Sequence, residues 1–464
     1  MSSSDRRIRL NAFALAAPGH QSPGLWRHPD DQSHRYKELG YWLELARTLE
    51  RGRFDGLFLA DGHTPPVVYQ GSHDPALTWA IQAPRNEPTA MIPAMAAVTE
   101  HLGFGVTVAV TWEQPYHLAR RLTTLDHLTG GRLAWNVVTT WRPDVGRNMG
   151  MPELPLTHDQ RYDRAEEYLE VCYKLWEYSW DDDAVVIDRA AGVYTDPRKV
   201  REIGHDGTYF TVPGAFYAEP SPQRTPVIFQ AGSSPRGRDF AAKHAECVFI
   251  VSTSTAGARY FVDDIRSRAA AHGRDPHEVN IILAVSSVVA EDTRAAREKY
   301  EEYLTYVSYD ATLTHFCGLT GLDLSKLPPD EPLEIKQAGT TKSPLEIFVK
   351  ADPGRVWTPN EVVRHLGIGM MGPVLVGSGA EVADQVEELV DETGIDGLNL
   401  MCAVNPGTYV DFVDLVVPEL QRRGRVWTDY VGDTAREKLY GPGRKLLLDS
   451  HPGAGYRSSR TVST

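Results

Sequence analysis

Cysteine is scarce in this 464-residue sequence, which contains only four. They lie far apart and form no CxxC pair, so neither a disulfide framework nor a zinc site is expected. The sequence also lacks an HExxH motif and an HxH pair at a strand end, and we therefore expect no bound metal. The spacing instead favours buried free thiols in a reducing, cytoplasmic compartment, at Cys172, Cys247, Cys317 and Cys402.

Positive charge is also in short supply. The 48 Lys and Arg residues are outnumbered by 62 Asp and Glu, which gives a formal net charge of −14. No block of Lys and Arg compensates for this, so we expect neither nucleic acid nor an anionic membrane as a partner. No apolar run is long enough to span a membrane, and the polar residues 1–9 are not followed by the apolar core of a signal peptide.

Two common catalytic and nucleotide-binding signatures are missing or misplaced. No GxSxG sequence is present, so the nucleophile elbow of hydrolases is not expected. One GxGxxG occurs at residues 367–372, but it follows the helical pattern EVVRHL instead of a strand and runs into Pro373. This context does not match a dinucleotide site, and we expect no nucleotide there.

The sequence is rich in short apolar runs that alternate with amphipathic segments. This alternation predicts a parallel sheet, and eight such units predict an α/β fold, a (β/α)8 TIM barrel in a single domain over residues 1–464. The expected strands are residues 8–13, 54–61, 104–110, 133–139, 227–230, 247–251, 280–289 and 397–401. The expected helices are residues 36–51, 115–129, 161–176, 236–245, 257–272, 293–306 with 380–393, and 409–423.

Three stretches between these elements are longer than ordinary connections. Residues 62–88 and 177–225 are expected to be long insertions at the C-terminal face of the barrel, where loops of this length are often functional lids. A third stretch, about 307–372, is rich in Pro, Gly, Lys and Asp and is expected to be an inserted flap. From about 441 to 464 the sequence is polar, which suggests a C-terminal tail.

Polar residues at the ends of the strands are the first candidates for a site, because barrel chemistry is done there. Asp61 ends the second strand, Thr107 lies in the third and Asn136 lies in the otherwise apolar fourth, LAWNVVTT. A buried Asn must satisfy both its amide oxygen and its amide nitrogen. Asn136 therefore either bonds neighbouring loops or pairs with the edge of a heteroaromatic ring.

A candidate anion site follows the fifth strand. The segment QAGSSPRG, residues 230–237, leads directly into a helix, so free backbone N–H groups and the hydroxyls of Ser233 and Ser234 could bind an anion. The alternative is a plain serine cap on the helix. His158 and Tyr162 at the start of the long helix have the same two interpretations: they cap that helix, or they bind a phosphate beside it.

Seven long segments, in order along the chain, carry a family resemblance. They are GLWRHP (24–29), RGRFDGLFLAD (51–61), AVTEHLGFGVTV (97–108), YHLARRLTTLDHLTGGRLAWNVVTT (116–140), HDQRYDRAEEYLEVCYKLW (158–176), DGTYFTVPG (206–214) and SPQRTPVIFQAGSSPRGRDFAAKHAE (221–246). The chain resembles the bacterial luciferase-like flavin monooxygenases from about residue 8 to 442. Within this family it resembles the branch of nitrilotriacetate, dibenzothiophene-sulfone and, most closely, long-chain alkane monooxygenases.

The resemblance implies an oxidoreductase, a flavoprotein that uses FMN as FMNH2 and inserts one atom of O2 into a small organic substrate through a flavin C4a-(hydro)peroxide. No nicotinamide-binding unit is left over once the barrel is counted, so a separate NAD(P)H:flavin reductase is expected to supply the FMNH2. The resemblance also implies a homodimer. The alternatives are an F420-dependent oxidoreductase on the same barrel and a non-catalytic flavin-binding protein.

The resemblance also assigns residues. It places His20 and His315 on the substrate side as catalytic residues, with His20 as the donor or proton shuttle. The expected substrate is apolar: an alkane, a sulfone or a heteroaromatic. The alkane pattern has Cys, Tyr and His where this chain has Ala17, Pro66 and Trp141, and this difference weakens the case for an alkane. The implied FMN contacts are Asp61, Thr107, Asn136, His158, Tyr162, Ser233 and Ser234, the last four near the phosphate.

Overall fold

The structure is a computed structural model that describes residues 7–140, 142–151, 156–333, 356–370 and 372–458. Its strands are β1 Arg9–Leu15, β2 Gly56–Ala60, β3 Gly103–Ala109, β4 Leu133–Val138, β5 Val185–Asp188, β6 Val193–Thr195, β7 His205–Asp206, β8 Thr211–Val212, β9 Val227–Gln230, β10 Cys247–Ile250, β11 Asn280–Ala290, β12 Val374–Ser378 and β13 Gly397–Met401. The eight strands expected from the apolar runs are all present, and together they make the predicted (β/α)8 barrel, which confirms the fold class.

The helices alternate with these strands. They are α1 Leu39–Arg51, α2 Asp74–Thr78, α3 Ile92–Ala96, α4 Pro115–Leu128, α5 Pro143–Asn148, α6 His158–Tyr173, α7 Pro235–His244, α8 Thr255–Ala271, α9 Thr293–Tyr306, α10 Tyr309–Thr320, α11 Pro359–Leu366, α12 Gly379–Thr393, α13 Gly407–Asp411, α14 Val417–Arg422, α15 Ala435–Tyr440 and α16 Ala454–Ser458. The helix expected over 409–423 is interrupted by a π-helical turn, Phe412–Val416. No helix in the described ranges is long and apolar enough to cross a membrane.

The chain forms two compact units. The first contains residues 1–106, 249–264 and 280–430, and the second contains residues 107–248, 265–279 and 431–464. That residues 1–464 form a single domain stays a prediction. All four cysteines are buried and free.

The first unit contains the strand order β12–β11–β13–β1–β2 and continues into the first half of β3. β12 was not expected from the sequence. It pairs with the second half of the eleven-residue β11, from Ser286↔Val374 to Ala290↔Ser378, while the first half of β11 pairs with β13. The length of β11 is what allows it to serve both neighbours.

Close packing explains the GxGxxG sequence at 367–372. Gly369 has a left-handed backbone with φ of 65°, which favours glycine. A β-carbon on Gly372 would collide with the carbonyl oxygen of Ala284, and one on Gly367 would collide with the side chain of Val307. These glycines therefore bring the loop close to its neighbours.

The described part of the flap is folded around a small core that it shares with Tyr69 of the 62–88 insertion. α10 and α11 pack against each other, and Trp357 and Met370 are buried with them. The other buried members of this core are Tyr69, Leu313, Phe316, Cys317, Leu322, Leu324, Val362 and Leu366. Residues 334–355 and 371 of the predicted flap lie outside the described residues.

The second unit contains the strand order β4–β9 followed by the first half of β10, with α6 and α7 packed together. The segment after 441, which the sequence suggested to be a tail, packs on this unit as far as residue 458. His451 is only 2% exposed and its Nε2 lies 2.7 Å from the carbonyl oxygen of His244. Arg457 forms an ion pair of 3.2 Å with the fully buried Glu177.

Candidate functional site

The structure places the candidate site residues in two groups, one in each unit. His20, Asp61 and His315 belong to the first unit, and Thr107, Asn136, His158, Tyr162, Ser233 and Ser234 belong to the second. No cluster of three or more metal-ligating side chains occurs within the described ranges.

In the first unit His20 lies on the loop after β1. Its ring meets the ring of Phe13 edge-on, with 4.4 Å between the centroids. Its Nε2 lies 3.2 Å from the amide nitrogen of Gln21. Burial lowers the pKa of His20 to about 3, and the positive charges of Arg85 and of His315 in its protonated form act in the same direction. The imidazole of His20 is therefore neutral at physiological pH.

His315 lies in α10 and is 1% exposed. Its Nε2 lies 3.1 Å from the amide nitrogen of Gln82, and its Nδ1 is buried with no hydrogen-bond partner among the residues that the structure describes. Burial lowers the pKa of His315 to about 4, so this imidazole is neutral as well. A buried nitrogen without a partner is unusual and marks a place where a ligand atom can bind.

Asp61 has an unusual electrostatic environment. Burial raises its pKa to about 6, and the negative charge of Glu87 adds to this, while the N–H of Gly62 and the positive charge of Arg85 act in the opposite direction. Asp61 therefore changes charge close to neutral pH. The sequence indicated a flavin contact here but not a titrating group.

Two of the three pocket positions that depart from the alkane pattern can be placed. Ala17 is buried. Pro66 packs directly on α10, because a β-carbon on Gly318 would lie 2.7 Å from the β-carbon of Pro66. The third position, Trp141, lies outside the described residues.

In the second unit Asn136 and Thr107 form a pair. The amide nitrogen of Asn136 donates to the hydroxyl of Thr107 at 3.0 Å. The amide oxygen of Asn136 is buried and has no partner within the described part of the chain. Because a hydroxyl both donates and accepts, the amide can turn over and present either its oxygen or its nitrogen to the edge of a heteroaromatic ring.

The turn before α7 is built around a tyrosine. A β-carbon on Gly232 would lie 2.9 Å from the Tyr162 hydroxyl, and one on Gly237 would lie 2.7 Å from it. Ser234 is the N-cap of α7, and its hydroxyl accepts from the N–H of Gly237 at 3.0 Å. The hydroxyl hydrogen of Ser234 therefore remains available to bind an anion. The Tyr162 hydroxyl can also donate to an anion, because the two glycines leave room for it in the turn.

The start of α6 settles one alternative. Thr157 and Gln160 form the capping box of this helix, so the suggestion that His158 or Tyr162 caps it is wrong. His158 is exposed, and its ring lies 5.3 Å from the ring of Tyr162.

Sequence reasoning missed several polar residues of these groups. Arg161 is half-buried, and its Nε is buried with no hydrogen-bond partner in the described ranges. Its place beside Tyr162 in HDQRYDR was the signal that could have identified it. Gln21 and Gln82 carried no signal, because each is an ordinary loop residue in the sequence. Gln230 was also missed, and its side chain accepts from the N–H of Gly232 at 2.6 Å.

Comparison with known proteins places these features in a family context. A family model described as luciferase-like monooxygenase matches residues 17–397. The chain is 49% identical over 454 residues to the dimethyl-sulfide monooxygenase of Hyphomicrobium sulfonivorans, covering 98% of this chain and 94% of the relative. It is 48% identical to the long-chain alkane monooxygenase of Geobacillus thermodenitrificans strain NG80-2, covering 98% of each.

Solved structures are similar over the same length. The crystal structure of DmoA from Hyphomicrobium sulfonivorans has a TM-score of 0.93 at 48% identity, covering 99% of this chain and 97% of that one. The crystal structure of the riboflavin lyase RcaE with modified FMN and riboflavin has a TM-score of 0.88 at 36% identity, covering 97% and 100%.

Proposed function

The chain belongs to the luciferase-like monooxygenase family, and we propose that it is a two-component enzyme that uses FMNH2 to insert one atom of O2 into a small neutral organic molecule. The observation that carries this proposal is a pair of neutral imidazoles in the first unit, the buried His315 and the half-buried His20. A neutral imidazole can give up the proton on one ring nitrogen while it takes up a proton on the other, so it can relay a proton and remain neutral.

Reduced FMN, when bound, supplies the electrons that activate O2 for the transfer of one oxygen atom. Residues of the second unit fit this cofactor. Hydroxyl donors surround the turn before α7, where glycines leave space, and they belong to Tyr162, Ser233 and Ser234. Two further polar residues, Arg161 and His158, lie near Tyr162 in the sequence. These residues would hold the phosphate.

The Asn136 amide is oriented by its hydrogen bond to Thr107, and its oxygen has no partner in the described residues. This oxygen fits the polar edge of the flavin ring. The assignment of Asp61 as a further flavin contact rests on the family resemblance.

In the reaction His20 acts as the donor or proton shuttle. Its Nε2 is held by Gln21, and its ring is oriented by Phe13, so the imidazole is presented in one direction. The surroundings of His315, which is 1% exposed, also limit the access of water, and this preserves the activated oxygen for the substrate.

The substrate that fits this environment is small and uncharged. The dimethyl-sulfide and long-chain alkane relatives are named for neutral, apolar molecules. Phe13, Phe58 and Phe249 form a cluster of rings on the His20 side, with centroids 5.0 to 5.6 Å apart. A thioether or an alkane is compatible with these surroundings, whereas a polycarboxylate would need several cationic partners, and Arg85 is one cation near His20.

The partners follow from the same family assignment. A separate NAD(P)H:flavin reductase supplies FMNH2, and two copies of the chain form a homodimer in the cytoplasm. Sedimentation at micromolar concentration tests the dimer, and a monomer alone would refute it.

Oxygen-isotope labelling tests the function. The protein is mixed with FMN, NADH and a generic flavin reductase under 18O2, with dimethyl sulfide, hexadecane, dibenzothiophene sulfone or nitrilotriacetate. We expect one 18O atom in the product of a neutral substrate, none from nitrilotriacetate, and no oxidation of NADH without the reductase. Formation of H2O2 alone with every substrate would overturn the proposal, as would activity that only F420 restores.

A further inference from the structure

The contact between Gln82 and His315 points to one tautomer of a buried imidazole. The Gln82 amide nitrogen lies 3.1 Å from Nε2 of His315. With the amide in this orientation Gln82 donates, and Nε2 is the unprotonated acceptor. The proton of the neutral ring then lies on Nδ1, the buried nitrogen that has no partner within the described ranges.

The backbone that carries Gln82 is strained. Gln82 and Ala80 have φ values of 53° and 54°, a left-handed conformation that non-glycine residues adopt rarely. Such conformations persist only where surrounding contacts impose them, and they concentrate at functional sites.

The contact that imposes this conformation comes from the loop of His20. A β-carbon on Gly19 would collide with the carbonyl oxygen of Ala80, so only glycine allows the two backbones to approach this closely. The N–H of Asn86 also donates to the carbonyl oxygen of Ala16 at 2.9 Å. The segment around Gln82 is therefore held against the segment that carries His20.

We propose that Gln82 is a positioning residue, which the strained turn at 80–82 holds so that it locks His315 in the Nδ1–H tautomer. This inference rests on the proposed function, in which His315 faces the substrate side. The Nδ1–H group would then be free to donate a hydrogen bond to an oxygen atom that gains negative charge during oxygen transfer. The proton itself stays on the ring, because its loss from a neutral imidazole would leave an imidazolate.

The tautomer can be read directly. Full-length protein labelled with 15N-histidine, without flavin, is examined by NMR, and His315 is assigned by comparison with His315→Gln. We expect a protonated Nδ1 and an unprotonated Nε2 in the wild type. Gln82→Glu offers a carboxylate acceptor, which should move the proton to Nε2. Gln21→Met is the matched control, since it removes the amide beside His20 and should leave the His315 signals unchanged.

The kinetic readout separates positioning from structure. Gln82→Glu and the neutral variant Gln82→Met should each lower kcat about tenfold, the loss expected for one hydrogen bond, and raise the ratio of H2O2 to product. KM should change little, and the thermal midpoint of Gln82→Met should stay near that of the wild type.

Two results would overturn the inference: a wild-type proton on Nε2, or an unchanged H2O2 ratio in Gln82→Glu when its tautomer has moved. The NMR measurement needs neither flavin nor turnover. A failure of every substrate to be oxygenated would therefore count against the proposed function and not against the tautomer.

Discussion

The hydroxyl oxygen of Tyr162 lies 2.7 Å from the position that a β-carbon on Gly237 would occupy. Gly237 is in the first turn of α7, where alanine would favour the helix by about 1 kcal/mol over glycine. The glycine is therefore unfavourable for the helix but necessary for the tyrosine. Because Gly237 lowers helix stability but makes room for the Tyr162 hydroxyl, its substitution can distinguish an effect on helix stability from an effect on anion binding.

Gly237→Ala should weaken FMN binding about tenfold, because the new methyl group displaces the Tyr162 hydroxyl from the phosphate turn. Its stability should fall little, since the gain in helix propensity offsets part of the clash. Fluorescence titration with FMN and riboflavin measures the effect, and riboflavin, which lacks the phosphate, should bind as before. Gly214→Ala is the matched control, because its β-carbon would meet no atom of the described residues within 4 Å. Equal losses for both flavins would show that the turn does not hold the phosphate.

Tyr162→Phe and Ser234→Ala should each reduce FMN affinity by about ten- to a hundredfold, because a hydrogen bond to a charged group contributes about 1.5–3 kcal/mol. They should differ in stability. Ser234 caps α7 and Tyr162 caps no helix, so only Ser234→Ala should lower the free energy of unfolding, by about 1 kcal/mol. Urea unfolding beside the flavin titrations checks both. An FMN preference over riboflavin that persists in both variants would contradict the assignment.

The double substitution Asn136→Leu with Thr107→Val tests the ring contact. Replacing both partners of a buried hydrogen bond with apolar groups of similar shape is nearly neutral, so stability should change by less than about 1 kcal/mol. Affinity should fall about tenfold for FMN and riboflavin alike, because both contain the ring. A variant that binds both flavins normally would assign Asn136 a purely structural role.

The raised pKa of Asp61 makes stability depend on pH. Since the pKa is about 6 in the folded chain and near its usual 3.8 when unfolded, the folded state binds the proton more tightly. Ionisation therefore destabilises the fold as pH rises from about 4 to 6. Asp61→Asn should match the wild type at pH 4 and exceed it by about 1–3 kcal/mol at pH 7.5. Urea unfolding at both values measures this, and a difference that does not change with pH would argue against a raised pKa.

The ion pair of Arg457 with Glu177 predicts a role for the C-terminal segment. Glu177 is fully buried, so Arg457→Met leaves a buried charge without this cation and should destabilise the protein by about 2 kcal/mol. Arg444→Met, at an exposed position of the same segment, should have no effect beyond about 0.5 kcal/mol. Denaturant midpoints compare the two, and equal midpoints would mean that the ion pair does not anchor the segment.

Local pattern was sufficient for the strands and most helices, because apolar periodicity records directly which face of an element is buried. It failed at β12, whose partner is the outer half of a strand about 90 residues earlier in the sequence. It also failed at the segment after 441. His451 and Arg457 look like residues of a polar tail until the buried groups that they meet, His244 and Glu177, are known.

The order of the barrel elements, the family and the nine candidate site residues could be predicted from the sequence, because they depend on local periodicity and on contiguous motifs. How those residues are held became known from the folded structure. Gln82 and His315 are 233 positions apart, and Tyr162 fills the space that Gly232 and Gly237 leave in a different element. Such contacts depend on how distant segments pack, and no local pattern in either segment specifies the other.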